Sequence, residues 1–280
     1  MDFLMRDGAI LNPEQWTELD AVVVKTAKTV LTGRKFLDIY GPLGAGTEAI
    51  ATDALPTPTV SEDFYGEGEN AAGLGTRKVQ QIPLLYSDFT LSWRELESAS
   101  QAGRPISFSR AAASAALTAT AEDKLIYLGN PKAGYDGLTT AKGVEHVKIS
   151  DWTKGDTAFT EVANGLAKLL SNHAYGTYTL IVSPDLFAAM QKLEPGTGVL
   201  VAERVKNLLA GGQVIVTPVL PQKTAILLAA ATQNMDLVIG QDMITGYLGS
   251  NKLNHDFRVF ETVMPRVKNP KAIIDRKSVV

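Results

Sequence analysis

Apolar residues recur at helical spacing near the start of the chain. Trp16, Leu19, Val23, Ala27, Val30 and Leu31 form one stripe of a 3.6-residue repeat, with polar positions between them. Asn12 is placed to cap this helix, Pro13 suits its first position, and Gln15 stands three residues after the cap. Glu14, Glu18 and Asp20 lie early, Lys25 and Lys28 late, the charge order that a helix dipole favours. Gly33 predicts the end. A second, longer helix is predicted over Ile106–Leu128, where Ala111, Ala112, Ala113, Ala115, Ala116, Ala119 and Ala121 give high propensity and Gly129-Asn130-Pro131 stops it.

Elsewhere the period is two. Over Val79–Trp93, Leu85, Phe89, Leu91 and Trp93 share one strand face and Ile82, Leu84 and Tyr86 the other, while Pro83 demands an edge or a bulge. From about Tyr135 helices and strands alternate. Phe159–Leu170 predicts a helix with Val162, Leu166, Leu169 and Leu170 inward. Strands are predicted at Tyr178–Val182, Val214–Val216, Thr224–Leu228, Leu237–Ile239 and Phe257–Pro265, with helices over Pro184–Leu193 and Leu200–Leu209. The chain is therefore of the α+β class. Thr47–Thr76 follows neither period. It holds Pro56, Pro58, Gly66, Gly68, Gly73 and Gly75, with Asp53, Glu62, Asp63, Glu67 and Glu69 and no Lys or Arg. A stretch of this length is either a mobile surface loop or a projecting, functional segment.

Composition narrows the function classes. The chain has 280 residues, is 45% hydrophobic and carries a net charge of −3, without the basic excess of a dedicated nucleic-acid binder. It contains no cysteine, which excludes disulfides and thiolate metal sites. The first residues lack a signal-peptide pattern, and the apolar run Ala225–Ala231 is far shorter than the roughly 20 residues of a membrane span. A cytoplasmic protein is expected, with no nucleic acid and no membrane among its partners.

Candidate chemistry is sparse. His146, His173 and His255 are unpaired at metal-binding spacing and read as surface or packed side chains. Gly41-Pro42-Leu43-Gly44-Ala45-Gly46-Thr47 lacks the Lys-Ser/Thr of a phosphate loop, Gly66-Glu67-Gly68-Glu69 fails the dinucleotide pattern, and no Gly-x-Ser-x-Gly elbow occurs. Glu161 and Glu194 read as solvated charges. No cofactor, no metal and no catalytic residue is expected.

Several segments, in order, carry a resemblance. Gly33-Arg34-Lys35-Phe36-Leu37-Asp38 runs into Gly41-Pro42-Leu43-Gly44. Ile82-Pro83-Leu84-Leu85-Tyr86-Ser87-Asp88-Phe89 leads to Trp93-Arg94-Glu95-Leu96-Glu97. Glu122-Asp123 precedes Ile126-Tyr127-Leu128-Gly129. Gly240-Gln241-Asp242, Gly246-Tyr247, Asn254-His255-Asp256-Phe257-Arg258-Val259 and Asn269-Pro270 follow. This series resembles the encapsulins, prokaryotic shell proteins with the tailed-phage major capsid (Hong Kong 97-like) fold, although Asp256 stands where many relatives carry proline. The resemblance implies a peripheral domain begun by residues 1–46, an extended arm at 47–93, a spine helix within 94–134, an axial domain at 135–228 and return strands at 229–280.

It also implies function: a self-assembling icosahedral cage around a cargo enzyme, an iron-storage ferritin-like protein or a peroxidase, captured through a short C-terminal targeting peptide. The corresponding groove would use Val24, Ala27, Leu31, Arg34, Asp38, Ile239 and Ile244; alternatively Arg34 and Asp38 form only a structural ion pair. Glu194, Pro195, Gly196, Thr197 and Gly198 would form a pore loop, or else an ordinary connection. The acids of the arm could pair with Arg77, Lys78, Arg104 or Arg110 of a neighbour. Two rivals stand beside this reading. One is a phage major capsid protein, which would usually need a scaffolding segment or a processed N-terminus. The other is a secreted, bacteriocin-like protease, for which signal peptide and motif are missing.

Overall fold

The structure, a computed structural model, describes residues 3–53, 77–193 and 198–277. Helix α1 (Pro13–Val30) starts as expected: Asn12 Oδ1 accepts from the Gln15 amide at 2.8 Å, and Gln15 Oε1 accepts from the Asn12 amide at 2.9 Å. It buries Trp16, Leu19, Val23 and Ala27. It ends at Val30, three residues before Gly33. Asp123 draws the chain out of the helix there by accepting from the amides of Thr32 and Gly33, each at 2.9 Å in the shorter contact. Gly33 is needed for closeness, since a Cβ at that position would run into the Ile126 side chain.

Next come β1 (Ile39–Tyr40), β2 (Ala49–Asp53), β3 (Arg77–Gln81) and β4 (Leu84–Leu91). The single strand expected over Val79–Trp93 is thus broken at Ile82-Pro83. Trp93 leaves it to open helix α2 (Trp93–Gln101), whose Glu95 accepts from the Ser92 amide at 3.3 Å. Helix α3 (Ser109–Leu128) buries Ala111, Ala115 and Ala119 and ends on Gly129 at φ 66°. Then follow β5 (Glu145–Lys148), α4 (Thr157–Ser171), β6 (Thr177–Val182), α5 (Pro184–Met190), α6 (Val201–Leu208), β7 (Gln213–Val216), β8 (Thr224–Ala230), β9 (Met235–Asn251), β10 (Asn254–Val267) and β11 (Ile273–Lys277). Leu170, expected inward on α4, is exposed; Val162, Leu166 and Leu169 already fill the inward stripe, and the next residue is turned 100° away. Glu161, expected to be solvated, is mostly buried: it accepts from Trp152 Nε1 at 2.8 Å and the Ser150 amide at 3.0 Å, and faces Arg276.

Among the described residues the strands form three sheets. One has the order β1-β9-β10-β4, so β4 is an edge strand, as Pro83 requires; another runs β5-β11-β8-β6-β7; β2 and β3 form a separate two-stranded ladder. Two main cores lie on either side of the β9–β10 pair's midpoint. Leu237, Ile239 and Val263 join the core of the five-stranded sheet and α4–α6. Tyr247, Phe257 and Val259 join Trp16, Leu19 and Val23 of α1 with Phe89 and Leu91 of β4. Phe257 is fully buried, stacked on Phe89 with ring centroids 5.2 Å apart and edge-on to Trp16 at 5.8 Å. Each such side chain contributes about 1.5–3 kcal/mol by leaving water. Between the cores the ladder is irregular. Phe260 faces Ile244 and Thr262 faces Gln241, leaving Asp242 and Met243 opposite the single residue Glu261. This is a β-bulge, a device that re-aims side chains.

Candidate functional site

Glu261, turned by that bulge, meets Arg34 on the 3-10 turn Gly33–Lys35 that follows α1. Arg34 Nε and Nη2 donate to the two oxygens of Glu122 at 2.8 and 2.7 Å, Nη2 also donates to Glu261 Oε2 at 2.7 Å, and Nη1 donates to Asp242 Oδ1 at 2.7 Å. The Glu122 and Glu261 side chains are fully buried. Arg34 and Asp38 therefore do not form the ion pair that was one alternative, nor two free posts of a groove. Arg34 is consumed by three carboxylates, and Asp38 is exposed and accepts from Thr232 Oγ1 at 2.6 Å.

The electrostatics follow from burial. Desolvation works against the Arg34 charge, but the hydrogen bonds and fields of Glu122, then Glu261 and Asp242, outweigh it and raise its pKa further. Burial, then the negative field of Glu122 and a hydrogen bond with it, push Glu261 well above the usual carboxylate range, only partly opposed by Arg34. Asp123 is raised too, mainly by burial, against its bonds from Thr32 and Gly33. An acid with a raised folded pKa holds its proton longer when folded. Its contribution to stability is complete below the unfolded value and is lost as pH rises through the folded one. Glu261→Gln, which keeps the shape and removes the charge, is expected to raise the Tm at about pH 8, change little at about pH 4.5, and flatten the fall of Tm between them. A pH series of calorimetric scans checks this; an unchanged slope would remove Glu261 from the account.

The remaining groove residues divide. Ala27 and Leu31 are buried with Ala119 against Met243. Ile239 is buried in the other core. Val24 is exposed and Ile244 half-buried opposite Phe260. The expected set is thus not one open groove, because three of its seven residues, Ala27, Leu31 and Ile239, are interior packing. Sequence reading missed Glu122, Asp242 and Glu261 as partners of Arg34, and Ile39, Tyr40 and Leu43 as exposed apolar side chains after Asp38. One signal was available: Glu122 falls on the buried stripe Ala111, Ala115, Ala119, Ile126, where a carboxylate needs a cation. Of the pore loop, Glu194, Pro195, Gly196 and Thr197 lie outside the described residues, as does 54–76 of the arm; Gly198 has φ 65°. Among the described residues no helix is long and apolar enough to cross a membrane.

The fold, two α/β units joined by one long strand pair with an arm-like ladder beside them, has counterparts. It superposes on a virus-like particle subunit from Pyrococcus furiosus with a TM-score of 0.77 at 22% identity, over 94% of this chain and all of that one. The capsid of Myoviridae phage XM1 gives 0.64 at 12% identity, over 88% and 90% of the two chains. These likenesses show the capsid fold. A family model described as an encapsulating protein for peroxidase, Linocin_M18, matches residues 1–264. The chain belongs to the encapsulin family.

Among its encapsulin relatives, the type 1 shell protein EncA of Myxococcus xanthus is 37% identical over 97% of this chain and 95% of its own length. A diheme-cytochrome–encapsulin shell fusion protein of Kuenenia stuttgartiensis is 36% identical over 94% of this chain and 72% of its own. As an encapsulin, the chain is a shell subunit that self-assembles into a closed cage around cargo. The Arg34 cluster then reads as a structural clasp of that subunit, and the exposed residues beside it as the open part of the candidate site.

Proposed function

We propose that the shell captures a cargo enzyme, an iron-storage ferritin-like protein or a peroxidase, through a short C-terminal targeting peptide that docks beside the end of α1. The observation that carries this is that Val24 on α1, and Ile39, Tyr40 and Leu43 on and just after β1, have exposed apolar side chains, and that the carboxylate of Asp38 is exposed too. Apolar side chains flanking one anion fit an extended peptide with apolar residues and a basic end. Relatives whose names join an encapsulin shell to a diheme cytochrome or a ferritin-like domain support an enclosed redox cargo. The subunit itself has no catalytic role in this reading, needs no cofactor, binds neither nucleic acid nor membrane, and works in the cytoplasm.

The test uses the exposed residues, because Arg34 belongs to the fold. In Val24→Glu/Asp38→Ala shells, loading of a fluorescent protein carrying the cargo's C-terminal peptide is expected to fall roughly tenfold or more, the loss of one charge-assisted contact of about 1.5–3 kcal/mol. Shell size by light scattering should not change. Equal loading per shell in the variant would move the docking site elsewhere.

A further inference from the structure

The turn joining β9 to β10 runs against the usual preference of its own geometry. Its two central residues, Lys252 and Leu253, lie between the facing pair Asn251 and Asn254. Both sit at positive φ, 49° and 70°, as a two-residue hairpin turn matched to the strand twist requires. Such turns favour asparagine and glycine, because a bulkier side chain at positive φ crowds the backbone. Here the second position holds a leucine that is 71% exposed. Backbone strain and apolar exposure meet at one tip, and neither helps an isolated subunit; together they point to a contact made there.

The tip borders a hole. A groove of about 690 Å³ lies between it, the residues that lead into α1, and helix α2. Ile10 and Trp93 are exposed on its walls, with Leu96 and Ile106 half-buried beside them. The Trp93 amide donates to Asn254 Oδ1 at 3.2 Å, which holds the tip on the rim of its own groove. The charges are complementary as well. On the wall, Glu97 accepts from Gln101 Nε2 at 2.7 Å and pairs with no cation among the described residues; on the tip, Lys252 pairs with no carboxylate among them. Arg110 is already held by Glu95 at 2.9 and 3.0 Å, whereas Arg104 on the groove wall has no carboxylate partner among the described residues. The exposed Asn251 side chain of an incoming tip offers Arg104 an acceptor. A surface that carries a knob and a hole side by side is complementary to a copy of itself, and a closed cage of like copies supplies the symmetry axes about which such surfaces meet.

We propose that this groove receives the hairpin tip Asn251–Asn254 of a second copy, with Leu253 as the inserted side chain and Lys252 against Glu97, an inference that rests on assembly into a shell. The cysteine-free chain allows a direct test. Tagged Leu253→Cys subunits are co-assembled with untagged Ser100→Cys or Ala99→Cys subunits, and oxidised particles are run on non-reducing gels. A covalent species containing one chain of each kind is expected for at least one groove position. Closed particles without it, or with bonds only between Leu253→Cys chains, overturn the proposal. Where cysteine variants do not close, two substitutions decide. Leu253→Gly suits φ 70° better than leucine does, so it should leave the unfolding temperature of the subunit level or higher, by circular dichroism, yet lower the temperature at which particles dissociate, by light scattering. Dissociation at an unchanged temperature overturns the proposal. Lys252→Glu should also lower the dissociation temperature, and added Glu97→Lys should raise it again; no recovery overturns the pairing. If the unaltered chain forms no particles, the shell assignment fails first and this contact with it, a result seen before any variant is made.

Discussion

Replacing Arg34 by alanine is expected to destabilise the folded subunit by about 3–5 kcal/mol, the cost of leaving buried charge without its partner. Glu122 and Glu261 are fully buried and depend on this guanidinium, and Glu261 Oε1 already lacks a hydrogen-bond partner. The loss is a large part of the stability of an ordinary domain. It should show as a markedly lower Tm and poor recovery of assembled particles. Asp242→Ala should do much less, because Asp242 is 61% exposed and water replaces its contact. If Arg34→Ala shells form normally and only cargo loading falls, Arg34 is a docking residue and the clasp is dispensable.

The second large effect concerns assembly. Joining Asp53 to Arg77 through a short Gly-Ser linker is expected to abolish closed particles, shifting the protein from a megadalton-scale species to folded subunits, each lighter than the 30.0 kDa of the full chain, or small oligomers. The body should survive. Strand β4 keeps its eight paired positions with β10, from Leu84 to Leu91, and the described residues of both main cores are all retained. Size exclusion with light scattering reads the first outcome and circular dichroism the second. Particles of normal size from the shortened chain would show that the segment is not needed for closure.

The sequence conveyed local structure better than the site. The capping of α1, the alanine face of α3 and the edge position of β4 were legible because each depends on neighbours in sequence: Asn12 with Gln15, a four-residue alanine repeat, one proline. The full length of β9 was not, because Gly240, Gly246 and Gly249 dilute its alternation and its strandedness comes from pairing with β10. The Arg34 cluster joins positions 34, 122, 242 and 261 through a bulge. No local pattern encodes which of many acids will meet a given arginine, although Glu122 on an apolar stripe marked that a buried cation was owed to it. The resemblance supplied Arg34 and Asp38 as a pair, and the three-dimensional arrangement separates them.

The bulge at Asp242–Met243 has a mechanical meaning as well. One continuous two-stranded ribbon runs through both cores, and of its three register shifts the one at Glu261 lies between them, clamped by a single guanidinium that holds residues of both strands. A beam with one pinned bend flexes at the pin. The angle between the two halves of the subunit is therefore held by an ionic knot as well as by the side chains packed at Met243. Angular errors in a closed surface accumulate from copy to copy, so the tolerance of this one joint governs how uniform in diameter the finished cages are.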